Sequence, residues 1–159
     1  MKLKLQLLLL AGLLIFTFPQ KAGAESVYLI NYLAFDENGR EYWTTGEVYT
    51  EAIDSGQIAY SVFSAMFGGE NTYCIPAGVT VLGTEIREGN LFLDLSAEIL
   101  DYGGSFYEER LKAQLISTAL GLPGVASLSL LVNGRRAGLS EGGEIWGADS
   151  FSLELDNQP

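Results

Sequence analysis

The apolar residues of this chain change their spacing four times, and this alternation limits the fold more than any other feature of the sequence. Two segments place apolar residues every four positions, which is the period of a helix with one buried face. The remaining segments either alternate apolar and polar residues or are rich in β-branched and aromatic residues, as strands are. The order strand, helix, hairpin, helix, strand predicts an α+β fold.

The two predicted helices have recognisable ends. Residues 58–67 carry the first apolar helix face, and a pair of glycines beginning at Gly68 supplies the stop. The second helix opens at Ser105, where Ser105 and Glu108 have the spacing of a capping box. Pro123 ends it, because a proline cannot continue a helix.

The strand patterns predict one sheet against which both helices pack. We expect a single sandwich with the two helices on one face of a three- to four-stranded mixed or antiparallel sheet. The turn signals are residues 87–90, which predict a hairpin, and Asn133-Gly134. The predicted strands are residues 26–35, 79–86, 91–95 and 128–132, with residues 41–49 as a shorter candidate and 151–155 as a candidate edge strand.

The first 24 residues have the pattern of a secretory signal peptide. Two lysines precede an apolar run over residues 5–18, and small residues lead to Ala24. The run is shorter than the roughly 20 residues that a membrane-spanning helix needs. We therefore expect residues 1–24 to be a signal peptide, cleaved after Ala24, and residues 25–159 to be an exported domain. The alternative is a leader that is retained as an anchor. A lipoprotein signal would need a cysteine at the cleavage point, and none is present there.

Charge narrows the range of partners. The chain has 9 basic and 20 acidic residues. Three of the lysines lie in the leader, so residues 25–159 carry six basic residues against 20 acidic ones, a net charge of about −14. Such a domain repels the phosphates of nucleic acids and anionic lipid surfaces. We expect no nucleic-acid partner and no membrane insertion after cleavage.

The sequence offers few groups for catalysis or metal binding. It has no histidine, which is the commonest general base and the commonest zinc ligand. Lys112 is the one lysine beyond the leader, and Cys74 is the one cysteine. Residues 138–142 match the G-x-S-x-G nucleophile elbow, but the helix and the histidine that this motif requires are missing. We expect a non-enzymatic domain with no catalytic, cofactor-binding or metal-binding residues, and we interpret Cys74 as a buried, inert thiol. Pairing of this cysteine between two chains is the alternative.

Two other functions stay open at this level. Asp94, Glu98 and Asp101 lie near one another in the sequence, and a pair of carboxylates is the machinery of a small hydrolase. Exposed aromatic residues would instead stack on the sugars of a cell-wall glycan. The residues to examine for that role are Trp43 and Trp146, followed by Tyr28, Tyr32, Tyr42, Tyr49 and Tyr60.

Residues 27–146 resemble the sporulation and spore-germination (GerMN) domain. Two segments, IPAGVTVLGTEIREGNLFLDLSAEI and LKAQLISTALGLPGVASLSLLVNGR, carry the resemblance. The matching features are Ile75-Pro76 with Gly78 before a strand, Asp94-Leu95-Ser96 after a hairpin, Gln114 and Thr118 on a helix, Pro123-Gly124-Val125, and Val132-Asn133-Gly134 at the end of a strand. A helix ending in FSAMFGG lies where the family has its first helix and glycine.

This resemblance implies an α+β domain similar to the ring-building domains of envelope assemblies. It implies an exported, non-enzymatic interaction module of the bacterial cell envelope, with a role in sporulation or spore germination. The expected partner is another envelope protein or further copies of the same chain, with a cell-wall glycan as the alternative.

Overall fold

The structure is a computed structural model that describes residues 25–70 and 73–136, together with the backbone of residues 145–147. The predicted leader, the G-x-S-x-G segment and the candidate strand at 151–155 lie outside the described residues. The elements are β1 (Ser26–Phe35), β2 (Glu41–Thr50), α1 (Ser55–Gly68), β3 (Val81–Arg87), β4 (Asn90–Leu95), a 3-10 turn (Ala97–Leu100), α2 (Ser105–Leu120), β5 (Ser127–Val132), β6 (Arg135–Arg136) and β7 (Ile145–Gly147).

The strands of the described residues form two sheets. In the main sheet β3 pairs with β4, β4 runs parallel to β5, and β6 and β7 both pair with β5. A separate hairpin consists of the ten-residue strands β1 and β2. The predicted α+β class with two helices and a mixed sheet is confirmed. The expected single sheet is replaced by two, because β1 makes its second set of contacts with helix α2 instead of with another strand.

Helix α2 is the crossover that makes the parallel pair possible. Parallel neighbours need a connection long enough to return the chain to the same end of the sheet. The connection between β4 and β5 contains α2, which packs against β5 and against β1. Helix α1 packs against β3 and against both strands of the hairpin. The two helices thereby join the hairpin and the main sheet into one hydrophobic core.

The predicted alternation of the core strands is confirmed. Leu91, Leu93 and Leu95 of β4 are fully buried, and Leu128 and Leu130 of β5 lie beside them in register. The residues between those of β4 are only partly buried, so β4 has one core face and one wetter outer face.

The helix ends agree with the sequence in one case and differ in the other. Asp54 caps α1, since its side chain accepts a hydrogen bond from the Gln57 N–H at 3.1 Å, and the helix ends at Gly68 as predicted. The predicted capping box of α2 is wrong. Gly104 is the N-cap, with a φ of 122°, so Ser105 is already the first helical residue and does not cap the helix.

Candidate functional site

A buried ion pair connects the hairpin to helix α2. Glu41 opens β2, and Arg110 lies in the second turn of α2. The guanidinium donates from Nε to Oε1 of Glu41 at 2.5 Å and from Nη2 to Oε2 at 2.7 Å. Each side chain is only 5% exposed. This two-pronged geometry is the strongest form of an arginine–carboxylate contact.

Neighbouring residues supply the remaining contacts of the pair, and among the described residues no buried side-chain nitrogen or oxygen lacks a hydrogen-bond partner. The Tyr73 hydroxyl donates to Oε1 of Glu41 at 2.6 Å, and the Phe106 ring lies with its centroid 3.4 Å from Cζ of Arg110. The hydrogen bond from Arg110 lowers the pKa of Glu41, whereas burial and the bond to Glu41 raise the pKa of Tyr73. Glu41 is therefore ionised and Tyr73 protonated near neutral pH, and neither is poised to exchange a proton there. The cluster fits a structural role better than an acid–base role.

The ion pair predicts a specific acid sensitivity. The pKa of Glu41 in the folded protein lies below its ordinary value of 4.5. Its stabilising contribution is therefore complete above about pH 4.5 and is lost as the pH falls through the lower folded value. We expect the urea midpoint of the wild type to fall more steeply below pH 4.5 than that of Glu41→Gln. The other carboxylates are present in both proteins, so parallel pH profiles would contradict the assignment.

Two side chains of α2 close the outer edge of β1. The Leu33 N–H donates to Oε1 of Gln114 at 3.0 Å, and the Asn31 N–H donates to Oγ1 of Thr118 at 3.0 Å. The amide of Gln114 also donates to the Tyr73 carbonyl at 3.2 Å. The sequence indicated only that Gln114 and Thr118 lie on the helix. The structure shows that they take the place of a neighbouring strand.

The carboxylates considered for a hydrolase do not form an enclosed pair. Asp94 lies on the outer face of β4, where its Oδ1 accepts a hydrogen bond from the Gly134 N–H at 2.9 Å. Glu98 and Asp101 are exposed. Glu41 is the one buried carboxylate of the described residues. Both of its oxygens already accept hydrogen bonds from Arg110, and Oε1 also accepts one from Tyr73. Nowhere in the described part of the chain do three histidine, cysteine or acidic side chains come together as a metal site.

The thiol of Cys74 is buried, in agreement with the sequence interpretation. Burial raises the pKa of this thiol to about 11. The thiolate is the reactive form of cysteine, so little of it exists near neutral pH. Burial therefore disfavours both thiol chemistry and a disulfide to a second chain.

The aromatic residues of the first third of the chain do not share one environment. Tyr32 is buried, Tyr28 and Trp43 are half-buried, and Tyr42, Tyr49 and Tyr60 are exposed. The side chain of Trp146 lies outside the described residues. The depressions near Phe92, Tyr42 and Thr84 each contain at most one aromatic residue. None of these three depressions therefore offers an aromatic platform for a glycan.

On the side of β2 away from β1, backbone N–H and C=O groups point outward from the hairpin. The N–H groups of Asn31 and Leu33 point toward α2, so Tyr32 between them faces β2 and its register partner Thr44. The N–H and C=O groups of successive residues in a strand point to opposite sides. Since those of Thr44 point toward β1, those of Thr45 point away from β1. Glu47 follows the same rule. Within residues 25–70 and 73–136, no group bonds the outward N–H or C=O of these two residues.

Apolar side chains lie beside this open edge. Val27 and Leu29 of β1 are 49% and 50% exposed, and Tyr49 of β2 is 56% exposed. Val27 is the register partner of Tyr49, and Leu29 is the partner of Glu47, so all four side chains share one face of the hairpin. We call Val27, Leu29 and Tyr49 the hairpin patch.

The free edge of β3 is better protected than that of β2. A register shift occurs between Val81 and Gly83, and Glu85 and Arg87 form an exposed ion pair farther along the strand. Thr84 donates to the Gly56 carbonyl at the start of α1, at 2.7 Å. Irregular pairing, charges and a covering helix are the usual means by which proteins block an edge. β2 is therefore the better candidate for strand pairing with a partner.

Comparison with protein families decides the classification of the chain. The family model described as Germane, sporulation and spore germination, matches residues 26–138. The chain belongs to the Germane family. The predicted membership is thereby confirmed, and the involvement of the family in sporulation and germination comes with it. A comparison with curated protein sequences gave no match.

Solved structures show that the fold is shared within the Germane family. The tandem GerMN domains of the sporulation protein GerM from Bacillus subtilis match with a TM-score of 0.56 at 19% identity, over 77% of this chain and 44% of that one. The first GerMN domain of the same protein matches with a TM-score of 0.50 at 21% identity, over 69% and 84% of the two chains. A "Putative Lipoprotein from Clostridium perfringens" matches with a TM-score of 0.54 at 13% identity, over 79% and 89%. This chain spans less than half the length of the tandem protein.

Proposed function

We propose that this Germane domain is an exported, non-enzymatic interaction module of the bacterial cell envelope that acts in sporulation or spore germination. It docks another envelope protein by strand addition to the outer edge of β2. The observation that carries the proposal is the ten-residue strand β2, in which the outward backbone groups of Thr45 and Glu47 have no partner within residues 25–70 and 73–136 and lie beside the exposed hairpin patch. The family match supports the role in sporulation or germination. The structural similarity to a protein whose printed name is "Putative Lipoprotein" supports the setting in the envelope. Among the described residues, none of the helices has the length and hydrophobicity of a membrane-spanning segment.

The chemistry of the edge defines the partner segment. An extended segment laid along β2 forms main-chain hydrogen bonds with Thr45 and Glu47, and alternate side chains of the segment reach the hairpin patch. Those side chains should be apolar, because Val27, Leu29 and Tyr49 are. Basic flanking residues suit the exposed Glu47 and the net charge of about −14 of residues 25–159.

Two variants test the edge. Thr45→Pro removes an outward N–H and adds bulk there, while the pairing of β1 with β2 is retained. Leu29→Lys places a charge in the hairpin patch. The control is Tyr60→Lys on α1, which changes a side chain of similar exposure, 47%, outside the hairpin. We expect the wild type and the control to retain the same protein from envelope extracts of sporulating cells, and both edge variants to lose it. Binding of the purified partner to each variant should follow the same order.

The contrary outcomes are distinct. Equal retention on all four proteins would contradict docking at β2. Retention on purified cell wall without any protein partner would favour the glycan alternative. Turnover of a substrate by the purified domain would favour the hydrolase alternative. Recovery of the chain's own copies through the same edge would replace the heterologous partner by self-assembly.

A further inference from the structure

The outer face of the main sheet contains a depression that the proposed function does not use. It has a volume of about 480 Å³ and is lined by Arg87, Glu88, Asn90, Phe92, Ser127 and Arg136. Phe92 lies on the face of β4 opposite the buried leucines. Two guanidinium groups approach its ring, with Cζ of Arg87 at 5.6 Å and Cζ of Arg136 at 5.9 Å from the ring centroid.

The two arginines differ in whether a carboxylate of the described residues pairs with their guanidinium group. Arg87 donates to both carboxylate oxygens of Glu85, each at 2.5 Å. Arg136 is exposed on β6, and no carboxylate of the described residues pairs with it. The carboxylate of Glu88 also lines the depression and is exposed. Among the described residues, the lining arginine without a paired carboxylate is Arg136. Residues 25–159 contain six basic and 20 acidic residues, so most charge in this part of the chain has the opposite sign.

The polar floor of the depression is held in place. The Ser127 hydroxyl donates to Oδ1 of Asn90 at 2.8 Å, and the amide of Asn90 donates to the Ser129 hydroxyl at 2.9 Å. These bonds connect β4 to β5, which are parallel neighbours in the sheet. Phe92 and Arg136 therefore project from a fixed surface, which lowers the ordering cost of binding a ligand there.

We propose that this depression binds a carboxylate-bearing side chain of an acidic peptide segment of a partner protein. The guanidinium of Arg136 pairs with the carboxylate, and the ring of Phe92 contacts the apolar stem of the bound side chain. The net charge of the domain disfavours long polyanions such as nucleic acids, because repulsion grows with every added charge. A short peptide carries few charges, so it meets little of this repulsion and needs only one ion pair, with Arg136. The site lies on a different sheet from the β2 edge, so a test of this binding site is independent of a test of the proposed function.

An NMR titration with two blocked hexapeptides tests the proposal. One peptide contains glutamate and phenylalanine, and the other has glutamine in place of every glutamate. We expect the acidic peptide to shift the resonances of residues 87–92, 127–129 and 135–136 in a saturable way, and the glutamine peptide to leave them unchanged. Arg136→Gln should weaken binding by about fivefold, the size expected for an exposed charge pair. Arg40→Gln, with the same loss of charge in the exposed turn of the hairpin, should leave the affinity unchanged.

Each other result would overturn the proposal. Equal weakening by Arg40→Gln would show a general charge effect. Equal binding of the glutamine peptide would show apolar recognition without a role for the carboxylate. Displacement of the peptide by an equal concentration of inorganic phosphate would show an unselective anion site. Because Arg136 is exposed, the amide spectrum of Arg136→Gln should match that of the wild type outside the site and so confirm that the variant is folded.

Discussion

Replacing Arg110 with methionine is expected to lower the free energy of unfolding by about 3–5 kcal/mol. The substitution keeps most of the side-chain volume but leaves the Glu41 carboxylate buried without its cation. The Tyr73 hydroxyl alone cannot replace two charged hydrogen bonds. Since a domain of this size is stabilised by only about 5–15 kcal/mol, the loss is easily visible in urea unfolding followed by circular dichroism.

The control for this prediction is Arg87→Met. It removes an arginine from the ion pair with Glu85, in which the two side chains are 67% and 54% exposed. We expect it to cost less than about 1 kcal/mol, because water solvates both charges in the folded state. Equal effects of the two substitutions would show that the burial of the Arg110 pair has no energetic consequence. Adding Glu41→Leu to Arg110→Met should cost less than the sum of the single variants, because no unpaired buried charge then remains.

Replacing Gln114 with leucine is expected to lower the free energy of unfolding by about 2–4 kcal/mol. The buried Leu33 N–H loses its acceptor, and the carbonyl of the half-buried Tyr73 loses a donor. A buried polar group without a partner costs more than the net value of the bond it once made. Because Leu33 lies on the edge of β1, we also expect faster amide exchange at this position.

A neighbouring substitution provides the comparison for Gln114→Leu. Ser117→Ala removes a hydroxyl that bonds only within α2, to the Gln114 carbonyl at 3.3 Å. Its cost should stay below about 0.5 kcal/mol, as for most substitutions away from a buried network. A similarly small effect of Gln114→Leu, with unchanged exchange at Leu33, would mean that α2 does not close the edge of β1.

Local patterns predicted the elements because their causes are local. The alternation of Leu91, Leu93 and Leu95 has a period of two that only a strand can bury on one face. The hairpin at Glu88-Gly89 and the turn at Asn133-Gly134 were predicted for the same reason, and all four residues have positive φ values. The capping box failed because Gly104 adopts a φ of 122° and takes the cap position itself.

Contacts between distant residues could not be predicted in this way. Glu41 and Arg110 are 69 positions apart, and Gln114 and Leu33 are 81 apart. In the sequence each is one polar residue among many, and no spacing rule connects residues on different elements. The outer edge of β2 could not be predicted from the sequence either. Which edge of the hairpin stays exposed depends on which side of β1 the helix α2 occupies.

The sequence by itself determined the α+β class, the positions of both helices and the core strands, and the match to the Germane family. These properties follow from hydrophobic periodicity and turn residues, which act over a few positions of the chain. Only the tertiary structure decided that the hairpin stands apart from the main sheet, that Arg110 holds Glu41 in the interior, and that no described strand other than β1 pairs with β2. The physical reason is that hydrogen-bond partners and burial are set by packing between elements far apart in the chain, which local spacing does not encode.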